Sequence, residues 1–280
     1  MTETSTADRS DELILVTGAS GRVGTVLRPR LREAGLRLRL LDLKAPDDRL
    51  DDEDWVEADI RDRGAVAAAM TDVTAVLHLA GLSVENHWDE ILSINIAGTQ
   101  VVLQAAVDAG IRRVVLASSN HAVGFWTRAD AGGIELAPGI APRPDTFYGW
   151  SKAAGESLGR LYHDRFGIDV VALRIGSCAP TPPGPRGLST WLSPDDTGRL
   201  AVAALTSHRP DGFRIVWGIS ANQRRWWSLA EGADIGYVPR DDAEEFADEL
   251  LDGVTWDTDE PNLFRVGGHF TEMPLGEPVE

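Results

Sequence analysis

Tyr148 and Lys152 stand four residues apart in FYGWSK, and both types are scarce: the 280-residue chain holds three tyrosines and, among 27 basic residues, two lysines. A Tyr-x-x-x-Lys match between residues this rare arises in about 2% of shuffled chains. Positions i and i+4 share one helix face, so an ammonium at 152 can lie beside a phenol at 148 and favour its ionised form. A phenol normally near pKa ~10 would then move toward neutrality and could act as a general acid or base. Arginine supplies the other positive charges, and a guanidinium is a poor substitute for a compact ammonium.

A second constellation lies near the start. TGASGRVG places Gly18, Gly21 and Gly24 after an apolar run and at the opening of a helical pattern, with Ser20, Arg22 and Val23 in the same turn. Glycines allow a tight turn and close approach of backbone to a pyrophosphate, and a helix N-terminus offers amide donors. Asp42, 24 residues after Gly18, supplies the carboxylate expected on the adenosine ribose hydroxyls. A 2′-phosphate would meet it unfavourably, which points to NAD rather than NADP, although Lys44 is close by in sequence.

The elements that must position these residues read as βαβ units. LILVTG (13–18), LRLRLLDL (36–43), AVLHLA (75–80), RVVLASS (113–119) and DVVALRIGS (169–177) are expected strands, followed late by FRIVWG (213–218). Helical patterns begin near Arg22, run from Trp88 to Ala109 and from Tyr148 to Phe166, and restart after Ser193-Pro194, an N-cap and first-turn signature with Asp195 and Asp196 in structural roles. A Gly- and Pro-bearing loop spans 122–146, and APTPPGPRG (179–187) is expected to be neither helix nor central strand. Asp241–Leu251 reads as a helix near the C-terminus. The fold class is α/β, a doubly wound parallel sheet of Rossmann type, with residues 12–280 forming one NAD-binding domain, substrate elements mainly after 177, and 1–11 a disordered lead-in.

The glycine triple and the Tyr-x-x-x-Lys pair together resemble the extended, sugar-handling branch of the short-chain dehydrogenase/reductase superfamily. That resemblance implies that Ser119 completes a catalytic set with Tyr148 and Lys152, and that Asp59 and Ile60, Leu79, Ala80 and Gly81, Asn95 and Ser177 line the cofactor. HLAGLSVE, SSNHAVGF, RPDTFYGWSK, RIGSC, TWLSPDD and SANQRRWWS further resemble the uronate dehydrogenase family. It implies NAD-dependent oxidation of a hexuronic acid, glucuronate or galacturonate, at C1 to an aldaric acid lactone. Ser83, Ser119, Asn120, His121, Tyr148, Ser177 and Arg186 fall where substrate contacts are expected, and a planar guanidinium at 186 can hold a carboxylate bidentately.

The net charge of −17 opposes nonspecific attraction to nucleic acid or anionic membrane. No run of about 20 apolar residues suited to crossing a bilayer is expected, and the polar, acidic start has no signal-peptide pattern, so the expected home is the cytoplasm. Acidic runs at 47–54 and 241–260 read as solvated faces. Cys178, the single cysteine, reads as a small buried hydrophobe, and the histidines show no metal-ligand spacing. A homo-oligomer is expected from the resemblance. Two other readings stay open, a nucleotide-sugar epimerase or dehydratase and a non-catalytic NAD-binding regulator.

Overall fold

A computed structural model describes residues 12–207, 212–254, 256 and 260–279; the expected lead-in, 1–11, lies outside them. β1 (Leu13–Thr17) alternates its side chains between two cores. Leu13 and Leu15 join one apolar cluster and Ile14 and Val16 the other, as period-2 geometry requires of a strand covered on both faces. Around it β2 (Arg37–Asp42), β3 (Asp54–Glu57), β4 (Ala75–His78), β5 (Arg113–Ser119), β6 (Asp169–Ile175) and β9 (Phe213–Gly218) complete a seven-stranded parallel sheet in the order β3-β2-β1-β4-β5-β6-β9. The strand order reverses between β1 and β4, the switch point at which open α/β sheets bind ligands.

α1 (Arg22–Glu33) and α7 (Pro194–Thr206) cover one face through Leu27, Leu31, Leu200 and Ala204. The other face is covered by α2 (Arg63–Ala69), by a helix formed of α3 (Trp88–Glu90), a π-helical segment (Ile91–Gly98) and α4 (Thr99–Asp108), and by α5 (Phe147–Phe166). α5 begins where Thr146 accepts a hydrogen bond from the Gly149 amide, 2.9 Å, and ends at Gly167 in the left-handed region at φ 72°. α7 is capped by Ser193, as its Ser-Pro-Asp-Asp opening predicts, and Asp196 is fully buried, accepting the Arg240 and Asp241 amides.

Several expectations need correction. β3, DWVE, carries charged ends and lies at the sheet edge, so its pattern lacked the apolar run that marks the inner strands. Residues 184–190 form a helix, α6 (Gly184–Thr190), because Pro185 sits in the first turn, where a missing N–H costs no intrahelical bond. After it, the short β8 (Trp191–Leu192) pairs with β7 (Ser177–Cys178). Asp241–Leu251 holds only a 3₁₀ turn, Ala243–Phe246, and one α turn, Ala247–Leu250. Glu53 in the acidic run is buried, 3.0 Å from the guanidinium of buried Arg28, and Glu244 is paired with Arg224 at 2.7 Å. The helix from Trp88 to Asp108 is, contrary to expectation, long and apolar enough by composition to cross a bilayer. Half of its apolar stretch is buried inside the fold, with Val101, Val102, Leu103 and Ala106 in the core.

Candidate active site

Each group of the candidate site hangs from the carboxyl end of the sheet. Gly18 follows β1 at φ 72°, and a Cβ there would stand 2.5 Å from the Ala80 amide nitrogen, so only glycine lets the two loops touch. Gly24 is equally confined, 2.5 Å from the Ala19 carbonyl oxygen. α1 opens at Gly21 with no side-chain cap, whereas α2, α5 and α7 are capped by Asp62, Thr146 and Ser193. Its first-turn amides, at Arg22, Val23 and Gly24, therefore remain for an anion such as a pyrophosphate. Asp42, at the end of β2, accepts from the Ser20 amide at 2.9 Å and the Leu43 amide at 2.7 Å, placing a carboxylate beside the glycine turn. These residues fit a dinucleotide.

Asp59 is a turn residue as well as a candidate contact. It accepts from the Arg61 amide at 2.8 Å and is clasped by the Arg61 guanidinium, which holds its carboxyl below the usual range. Ile60 is buried beneath Gly98, where a Cβ would stand 2.5 Å from its Cδ1. Asn95, in the π-helical segment, is a bracket: it accepts from the Leu82 amide at 2.8 Å and donates to Leu82 O at 3.1 Å and to Ser151 Oγ at 2.9 Å. It thereby fixes the loop carrying Leu79, Ala80 and Gly81 to α5. A π-segment at such a junction fits the tendency of these segments to occur at functional sites.

Ser119 ends β5, and Tyr148 and Lys152 lie on α5, all three buried or nearly so. Burial, with the Asp145 charge, pushes the Tyr148 phenol up to about 12, and the neighbouring Ser119 hydroxyl acts in the opposite direction by favouring the ionised form. Lys152 Nζ lies 5.5 Å from the Tyr148 ring centroid and donates to Ala117 O at 2.9 Å. Burial brings its pKa down to about 8, with Glu156 acting in the opposite direction. The expected near-neutral phenol is thus not a property of the protein alone, because the ammonium is itself desolvated and occupied by a backbone carbonyl.

On the other side of Tyr148 the candidate substrate residues converge on a late segment. Asn120 Nδ2 donates to Val266 O at 2.9 Å, and Arg186 donates to the same carbonyl. Ser177 Oγ meets Thr190 Oγ1 at 2.9 Å, and Arg186 reaches both hydroxyls, at 3.3 and 3.2 Å. Buried Arg28 and Arg174 face carboxylates, Glu53 and Glu156. Arg186, by contrast, has no carboxylate bonded to it among the described residues, its buried Nε has no partner, and burial lowers its pKa to about 10. His121 Nδ1 lies 2.7 Å from Asp145 Oδ2, and its ring stacks on Phe270 at 3.9 Å. Ser83 is exposed, and no described contact joins it to this group. Cys178 is buried, its thiol pushed up by burial.

Three structurally central residues had no signal in the sequence. Asp145 and Glu85 lie inside segments read for other residues, and Phe270 lies beyond every motif. Glu85 is fully buried and accepts from the Tyr148 amide at 2.8 Å and the Gly276 amide at 2.7 Å, tying the late segment to the start of α5.

The model of the NAD dependent epimerase/dehydratase family matches residues 14–210. A uronate dehydrogenase from Pseudomonas syringae pv. tomato is 38% identical, the match covering 94% of this chain and 95% of the relative. An NAD-dependent glucose-6-phosphate dehydrogenase from Haloferax volcanii is 40% identical over 85% of this chain and 97% of its own. Among solved structures, a tyrosine-to-alanine mutant of the uronate dehydrogenase from Agrobacterium tumefaciens, complexed with NAD, superimposes with a TM-score of 0.86 at 37% identity, covering 94% of this chain and 98% of the other. The chain belongs to the NAD dependent epimerase/dehydratase family and, within it, groups with the uronate dehydrogenases.

Proposed function

We propose that the protein is an NAD-dependent dehydrogenase that oxidises a hexuronic acid at C1 to the aldaric acid lactone. The observation that carries the reading is Arg186, whose buried Nε has no partner and whose guanidinium bonds hydroxyls and a carbonyl but no carboxylate, with the Asp145 charge acting on it only at longer range. A bidentate carboxylate from the substrate would satisfy that guanidinium. NAD, held by the glycine turn, the α1 amides, Asp42 and the loop at Leu79, Ala80 and Gly81, supplies the hydride acceptor for C1 and the positive charge of its oxidised nicotinamide.

Within this reading Tyr148 takes the proton of the C1 hydroxyl. Ser119, beside the phenol, orients that hydroxyl and favours negative charge on the oxygen atoms that share the proton. Lys152 adds positive charge beside the ring and holds it against Ala117 O until a cofactor hydroxyl competes for it. Substrate elements cluster mainly after residue 177, with Asn120 and His121 reaching across from the end of β5. Exposed Trp88, Leu161 and Phe166 on the helices of one face support pairing with a second copy, which light scattering would test.

The test is an NADH absorbance assay with glucuronate, galacturonate, glucose 6-phosphate and neutral sugars. Stoichiometric NADH from the uronates alone is expected, and a preference for glucose 6-phosphate would move the assignment to the sugar phosphate handled by the Haloferax relative. An epimerase would show no net NADH, and a regulator would show binding without turnover. Tyr148→Phe should lower kcat by about 1,000-fold while leaving NAD affinity intact. Near wild-type turnover would remove the tyrosine from its role.

A further inference from the structure

Three glycines from separate segments make room for one carboxylate. A Cβ on Gly124 would stand 1.9 Å from Asp145 Oδ2, one on Gly267 2.0 Å from the same oxygen, and one on Gly149 2.7 Å from Oδ1. The Asp145 side chain is fully buried, with Thr146 Oγ1 donating to Oδ1 at 3.0 Å and His121 Nδ1 2.7 Å from Oδ2. A carboxylate buried this deeply needs strong donors. Its chain position, just before the α5 cap, requires none of this.

We propose that Asp145 is the positioning residue of the substrate site: it holds His121 with Nδ1 protonated, so that Nε2 is presented to a sugar hydroxyl as an acceptor. The proposal rests on the reading of the protein as a sugar-acid dehydrogenase. An ionised carboxylate only accepts, so the hydrogen between the two residues belongs to Nδ1, and a neutral imidazole then carries its lone pair on Nε2. Nε2 has no hydrogen-bond partner among the described residues. The plane of the ring is set independently by Phe270, stacked at 3.9 Å and 29°, and its centroid lies 5.8 Å from that of Tyr148.

An acceptor backed by a buried anion suits a hydroxyl and repels a carboxylate, which leaves the substrate carboxylate to Arg186. The other titratable groups facing the pair are Tyr148, Arg186 and His269. Two neighbouring groups thereby divide recognition, one reading hydroxyl and the other charge.

The experiment combines Asp145→Asn with histidine-selective ¹⁵N NMR. Wild-type protein should show His121 as the Nδ1–H tautomer, a result that needs neither turnover nor a variant; an Nε2–H tautomer overturns the proposal. In Asp145→Asn the amide can donate to Nδ1 and move the proton to Nε2, so KM for the uronate being oxidised should rise by about 10- to 100-fold, while kcat should not fall, because the lost charge is one that raises the Tyr148 phenol. NAD affinity and melting temperature serve as controls for folding. In a His121→Ala background the same substitution should add less than about a twofold loss. An unchanged KM, or an equal loss in both backgrounds, would show that Asp145 does not act through His121. A wild-type enzyme inactive on every sugar acid would strike the functional reading alone, because the tautomer is measured without substrate.

Discussion

The carboxyl end of the sheet carries two neighbouring candidate sites built by different means. On the candidate cofactor side the work is done by backbone: a glycine at φ 72°, an uncapped helix start, and a carboxylate that ends the adjoining strand. On the candidate substrate side it is done by side chains reaching over long stretches of sequence. Arg186 and Val266 are 80 residues apart, Asn120 and Val266 146, and Glu85 and Gly276 191. A backbone site tolerates changes of side chain but not of glycine, whereas a stitched site can be retuned one contact at a time.

That difference should appear first in cofactor binding. Gly18→Ala forces a Cβ into the left-handed region and to within 2.5 Å of the Ala80 amide. NADH affinity, read by fluorescence titration, should fall by more than about 100-fold, since the turn and the β4 loop must move apart. Normal NADH binding would break the contrast between the two halves. Arg186→Met comes next and acts on the other half alone. KM for the uronate should rise by about 50-fold, with NADH affinity unchanged and neutral sugars little affected. Equal losses on charged and neutral sugars would mean that the guanidinium orders the loop rather than binds the carboxylate.

The same contrast explains what could be read from the sequence. Gly18, Gly21, Gly24, Asp42, Tyr148 and Lys152 stand out as candidates because each belongs to a short segment whose local conformation is dictated by a few residues, whereas Ser119 is reached only through the family resemblance. The inner strands are legible for the same reason, their apolar runs being buried on both faces. β3 is not, because an edge strand with charged ends lacks that signal. Asp145 is not, because its meaning comes from Gly124 and Gly267, which nothing in the sequence brings together. Asn95 is singled out by the resemblance, but the π-helical segment from which it bonds Leu82 and Ser151 has no signal, since the apolar pattern of the Trp88–Asp108 stretch predicts only a helix. Helix spacing likewise places an ammonium on the correct face of Tyr148 but says nothing of the desolvation that raises the phenol to about 12.

The smallest expected effect belongs to His78, beneath the cofactor side, and concerns acid stability rather than binding. Its ring lies between Thr17 Oγ1 at 2.7 Å and Thr99 Oγ1 at 3.0 Å, and burial, with a smaller contribution from Lys152, lowers its pKa to about 3. An unfolded histidine takes up its proton near pH ~6.5. The stability contributed by keeping His78 neutral is therefore fully present above that pH and is lost progressively as pH falls toward about 3. Below pH ~6.5 the unfolded chain binds a proton that the native state refuses, so the unfolding free energy must fall with pH. His78→Gln removes that proton while keeping groups able to bond both threonines. Relative to its own value at neutral pH, the variant should retain about 2 kcal/mol more stability than the wild type at pH ~4.5 in urea titrations. Parallel pH profiles would mean that His78 becomes charged inside the fold, and that water reaches the cofactor side more freely than its packing implies.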